Sequence, residues 1–110
     1  MVRLAVALAA TGYATGQVVH ALRLLASPTR VEPGCLSCRV WTDDSDEPTV
    51  RYVEEWATEQ DVNRRMRSDP FTALLAVMDQ AEQPPEVRFD FYTVSRGLDY
   101  VEEIRQQQPS

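Results

Sequence analysis

The sequence predicts an α+β fold of the ferredoxin-like split βαβ type, with one antiparallel sheet of four strands. Three observations carry that prediction. Val2, Leu4, Val6 and Leu8 alternate with Arg3, Ala5, Ala7 and Ala9, the period of two expected of a strand. Phe71, Leu74, Leu75 and Met78 recur at i, i+3, i+4 and i+7 behind the helix-start signal Asp69-Pro70. Segments of these two kinds follow one another in the order β-α-β-β-α-β, with a further C-terminal helix.

Taken in order, the first strand ends where Thr11-Gly12-Tyr13 breaks the alternation. The same apolar run behind Arg3 also bears a faint likeness to a secretory signal, but it is short and has a single basic residue, so the strand reading is adopted. Thr15 is positioned to cap a helix with Val18, Val19, Leu22, Leu25 and Ala26 on one face and His20 and Leu24 on the other. Ser27-Pro28 is expected to end it. Pro33-Gly34 is a turn into a second strand, Cys35 to Thr42, and the acidic stretch Asp43 to Pro48 forms a hairpin loop. The third strand, Val50 to Trp56, sets Val50, Tyr52, Glu54 and Trp56 on one face and Arg51, Val53 and Glu55 on the other. Thr58 caps a short helix, with Asp61 completing a capping box. Asp69 is expected to cap the next helix, with Pro70 at its first position. After Pro84-Pro85 comes a fourth strand, Val87 to Val94, and then a helix carrying Leu98, Val101 and Ile104 before the polar tail Gln106 to Ser110. Neither a repeat nor a linker divides residues 1–110, which are read as a single domain.

Composition narrows the chemistry. With 11 basic and 17 acidic residues the net charge is −6, which disfavours nucleic acid and anionic membranes as partners, and no stretch is long enough to span a bilayer. Arg64, Arg65 and Arg67 form the densest basic cluster and read first as a solvated helix face. There is no lysine, which removes Schiff-base and pyridoxal chemistry. His20 is the only histidine and the four glycines are scattered, so neither a multi-histidine metal site nor a phosphate loop is expected, and no cofactor is assigned. Cys35 and Cys38 have C-x-x-C spacing, but residues three apart in a strand point to opposite faces. They are expected to be independent reduced thiols in a cytoplasmic protein. Helices on one face of a four-stranded sheet leave the other face open, with Val53, Tyr92 and Val94, or the aromatics of strand four, upon it. A homodimer pairing two such faces is the simplest cover.

The turn-strand string Glu32-Pro33-Gly34-Cys35-Leu36-Ser37, followed by Glu54-Glu55-Trp56 and Ser68-Asp69-Pro70-Phe71, resembles the antibiotic biosynthesis monooxygenase family. The resemblance runs from the first strand to Val94. It implies a dimeric α+β barrel with a pocket between each sheet and its helices. It also implies oxidation of small phenols or quinols by molecular oxygen without metal or flavin, the substrate supplying the electrons. Two family features are replaced here. Arg65 stands where many relatives carry a histidine, and Leu75 stands where haem-degrading relatives carry their iron ligand. The first strand likewise lacks their asparagine, so haem degradation is not expected.

Glu54 and Arg65 are the candidate catalytic residues, with Tyr52, Trp56 and Phe71 as candidate substrate-binding residues and no metal ligand. Arg65 would hold an anionic or phenolate substrate while Glu54 or Tyr52 handles the proton. The competing reading is a structural Arg65–Glu54 pair with Trp56 and Phe71 as core, on a barrel that binds or interacts without turnover.

Overall fold

The computed structural model describes residues 1–10, 15–45, 47–81, 83–92 and 98–107. Eight elements follow in order: β1 (Val2–Ala9), α1 (Thr15–Thr29), β2 (Cys35–Asp43), β3 (Thr49–Trp56), α2 (Glu59–Met66), α3 (Asp69–Asp79), β4 (Glu86–Phe91) and α4 (Leu98–Gln106). The strands form one antiparallel sheet in the order β2-β3-β1-β4, the split βαβ arrangement. The expected break at Thr11 to Tyr13 and the expected strand end at Val94 fall outside the described residues.

Alternation along β1 and β3 decides the core. Val2, Leu4, Val6 and Leu8 lie beside Trp56, Glu54, Tyr52 and Val50 in register, and all eight are buried under the helices. Val18, Val19, Leu22 and Ala26 of α1 and Leu74, Val77 and Met78 of α3 close over Leu4, Val6, Leu8, Val50 and Tyr52, while Val62 of α2 packs with Val2 and Trp56. The opposite sheet face carries Ala5, Ala7, Val53 and Trp41 among Arg3, Arg39, Arg51, Glu55 and Asp90. Val87, Phe89 and Phe91 pair with Val6, Leu4 and Val2, so the strand-four aromatics belong to the helix side.

Several local expectations change. Pro28 does not end α1, which continues to Thr29. A proline in the last turn forfeits only one backbone bond, and the Thr29 hydroxyl donates to the Leu25 carbonyl at 2.7 Å. The cap of α3 is Ser68 rather than Asp69: its Oγ accepts from the Phe71 N–H at 3.4 Å and donates to the Arg65 carbonyl at 2.6 Å. Leu75 is 44% exposed, and Val77 takes the buried place expected of it. The Thr58–Asp61 capping box on α2 is present as expected, and His20 is exposed.

β2 carries a bulge between Cys35 and Ser37, with Leu36 as the extra residue. Cys35 pairs with Trp56 and Cys38 with Glu54. The bulge therefore cancels one step of the alternation and puts both thiols on the core face, not on opposite faces. The turn before β2 is bolted to α2: Gly34 O accepts from Ala57 N–H at 2.8 Å, and Pro33 O accepts from Arg64 Nη2 at 2.7 Å. Gly34 has φ +84°, and a Cβ there would run into the Asp61 carboxylate. This close approach brings Glu32 towards α2.

Candidate functional site: a sealed Glu54–Arg65 centre beside an apolar cleft

β3 alternation aims Tyr52, Glu54 and Trp56 inward, and the face of α2 that buries Val62 also turns Arg65 inward. Their side chains meet. Arg65 donates to Glu54 from Nη2 at 2.9 Å and from Nε at 3.2 and 3.3 Å. Trp56 Nε1 donates to Glu54 Oε1 at 2.9 Å, and the Tyr52 hydroxyl donates to Glu54 Oε2. Cys38 Sγ in turn donates to the Tyr52 hydroxyl at 3.3 Å. Each carboxylate oxygen of Glu54 thus has neutral and charged donors, the condition for burying such a pair.

The pair is closed to solvent, with side-chain exposures of 1% for Arg65 and 0% for Glu54. Arg64 and Arg67, its neighbours in the basic cluster, are exposed, so only Arg65 departs from the solvated-face reading. Burial alone would lower the Arg65 pKa, but the hydrogen bonds and charge of Glu54 outweigh it and hold it above the ordinary guanidinium value. Burial, reinforced by the Glu54 charge, raises the Tyr52 phenol far above its usual range. Burial likewise pushes the Cys38 thiol up to about 11. Burial is also the main reason that Cys35 is raised, with Glu54 adding to it. Neither cysteine is an activated nucleophile.

Phe71 stands apart from this network and touches it by its ring. The Arg65 guanidinium carbon lies 5.8 Å from the ring centroid, within cation–π range. Phe71 also walls an open cleft of about 210 Å³ between the sheet edge and the helices. Leu4 and Val6 of β1, Met66 of α2, Leu74 and Leu75 of α3, and Val87 and Phe89 of β4 complete its apolar wall. Of the five residues singled out from the sequence, four are gathered into the sealed centre, and Phe71 links that centre to the cleft. Sequence reasoning missed the cleft walls contributed by Met66 and Phe89. It also passed over Glu32, whose carboxylate comes within 3.7 Å of Arg65 Nη1. Its place in the turn two residues before Gly34 was the available signal.

Among the described residues, no group of three or more His, Cys, Asp or Glu is arranged to hold a metal ion. No described helix is long and apolar enough to cross a membrane.

A split βαβ sheet with a pocket-forming helical layer defines the small α+β class to which the sequence motifs pointed. The chain belongs to the antibiotic biosynthesis monooxygenase family, whose description matches residues 1–77. The fold is shared with a candidate antibiotic biosynthesis monooxygenase from Deinococcus radiodurans at TM-score 0.76 and 18% identity, covering 88% of this chain and 97% of that one. A Mycobacterium tuberculosis protein aligns at TM-score 0.73 and 16% identity, covering 87% and 98%. A candidate family member from Nitrosomonas europaea aligns at 0.72 and 15%, covering 86% and 100%. No curated protein matches the sequence.

Proposed function

We propose that this protein is a cofactor-independent monooxygenase for a small phenolic or quinol-type substrate, acting in the cytoplasm as a homodimer paired through its open sheet face. One observation carries the reading: Phe71 lines a wholly apolar cleft and also lies within cation–π range of the buried guanidinium of Arg65. The substrate ring lies against Phe71 and Phe89, whose apolar surfaces take the place of water on that side of it. Arg65 is balanced by Glu54, but its guanidinium is the member of the pair that faces the Phe71 ring, and this fixed orientation is what would favour the phenolate, the form that gives electrons to oxygen. Glu54 holds Arg65 in place, and Tyr52 and Trp56 hold Glu54. In the overall reaction one oxygen atom enters the ring and the other leaves as water, so 1-naphthol plus oxygen gives naphthoquinone plus water.

The cleft volume is below the usual range of about 300–1,000 Å³ for drug-sized ligands, which favours one or two rings inside it. The dimer reading rests on the small residues Ala5, Ala7 and Val53 at the centre of the open face, with Trp41 beside them and charges of both signs around them. Charges of both signs around a small-residue centre would let two copies of this face pair about a two-fold axis.

Oxygen uptake with 1-naphthol, anthrone and simple hydroquinones, in chelator-treated buffer without flavin, tests the activity. Turnover with one atom of labelled oxygen in the product supports it. A panel with no uptake above buffer removes it. One observation favours a second reading, ligand binding without turnover: both Glu54 oxygens are already satisfied within the chain. Under that reading the same compounds bind in the cleft but are recovered unchanged.

A further inference from the structure

Arg65 is a buried cation with one unfilled donor. Nε and Nη2 are spent on Glu54, but Nη1 is buried without a hydrogen-bond partner. Its nearest acidic neighbour, Glu32 Oε2, lies at 3.7 Å, beyond hydrogen-bond length. The two ends of this contact differ sharply: the Arg65 side chain is 1% exposed, whereas Glu32 is 31% exposed. Arg3 Nε is the other unfilled buried side-chain donor among the described residues. It lies on the open sheet face, where its own guanidinium already meets Glu55.

The geometry points to a binding site for a small organic monocarboxylate at Arg65 Nη1, which the ligand enters by displacing the carboxylate of Glu32. An unsatisfied buried donor on a charged group is costly, and a charge-assisted bond to a carboxylate at about 2.8 Å would recover that cost. Glu32 does not supply the bond: its Oε2 stands 3.7 Å from Nη1. Its backbone is held in the turn, with its N–H donating to Thr29 O and its carbonyl accepting from Cys35 N–H, both at 3.1 Å. A free ligand has no such tether.

Charge sets the selectivity. Glu54 already balances Arg65, and Glu32 adds one negative charge at the rim. Exchanging Glu32 for a monoanion leaves the local charge unchanged, whereas a dianion adds one more beside Glu54. Glu32 is the part-exposed side of the contact, so entry requires its carboxylate to swing away, and the site requires none of the oxidation chemistry proposed above.

Isothermal titration with benzoate, benzamide and phthalate tests the inference on the full chain and on Glu32→Gln. Glu32 is part-exposed and, among the described residues, its only ion pair is the long one to Arg65, so the variant is expected to keep its fold, checked by circular dichroism. Removing the competing carboxylate is expected to tighten benzoate binding at least tenfold. Benzamide should gain nothing, and phthalate should bind more weakly than benzoate. No benzoate binding to Glu32→Gln, or an equal gain for benzamide, overturns the site. Because no oxygen uptake is measured, that failure is distinct from failure of the monooxygenase reading.

Discussion

Glu54 and Arg65 meet at 2.9 Å with both side chains sealed from solvent, one from β3 and one from α2. A helix is thereby fastened to the sheet by an ion pair that has no access to water. The desolvation cost of such a pair is offset only while both members and their supporting donors are present.

Replacing Arg65 with Met therefore leaves an uncompensated buried carboxylate. The expected loss is about 3–5 kcal/mol in denaturant unfolding. Adding Glu54→Gln to that variant removes the stranded charge and should restore at least about 1 kcal/mol of it, a coupling that two independent residues would not show. Strict additivity of the two changes would contradict the sealed pair.

The Gly34 turn fixes where β2 begins and where Glu32 stands. Gly34→Ala meets two obstacles, the positive φ of +84° and the Asp61 carboxylate in the space a Cβ needs. A loss of about 1–3 kcal/mol is expected. Asp61→Ala in the Gly34→Ala background should relieve the collision but not the backbone strain, so thermal melting should show partial recovery. A fully neutral Gly34→Ala would mean that the turn sits elsewhere.

Cys38 makes stability sensitive to alkali. Its folded pKa, about 11, lies above the ordinary 9.0, so the unfolded chain releases this proton first as pH rises. The contribution is fully present below pH 9.0 and is lost as the pH climbs towards 11. Cys35 and Tyr52 are raised too and act in the same direction. Melting temperatures measured between pH 8 and 10.5 should fall for the native chain and fall less steeply for Cys38→Ala. Parallel profiles would assign the alkaline loss to the other groups.

Much of this architecture is legible in the residues, and the exceptions have physical causes. The alternation from Val2 to Leu8 and from Val50 to Trp56 gives both central strands and their buried faces, because the sheet period is fixed by backbone geometry. Thr58 and Asp61 mark a helix start because their side chains satisfy backbone groups locally. The bulge at Leu36 is different: it is fixed by how β2 registers against β3, and no residue type in Cys35 to Ser37 demands it. That single inserted residue reverses the inference drawn from C-x-x-C spacing. Leu75 fits a helical stripe yet lies at the cleft mouth, since a stripe shows which side faces inward but not how far the neighbouring layer extends. Likewise, strand alternation put Tyr52, Glu54 and Trp56 on one face. That Arg65 would seal them from solvent depended on the docking of α2, a tertiary relation.

On the proposed function, substrate occupies the apolar cleft behind which Arg65 lies. Leu75 lines the cleft mouth and is 44% exposed, so Leu75→Trp can fill the opening with little demand on the core. The decisive measurement is the steady-state oxygen uptake of native and Leu75→Trp protein with 1-naphthol, at matched folded concentration. Measurable uptake by the native protein and at least a tenfold drop in kcat/KM for the variant are expected. Equal uptake by both proteins, or none by the native protein, would contradict the proposed function.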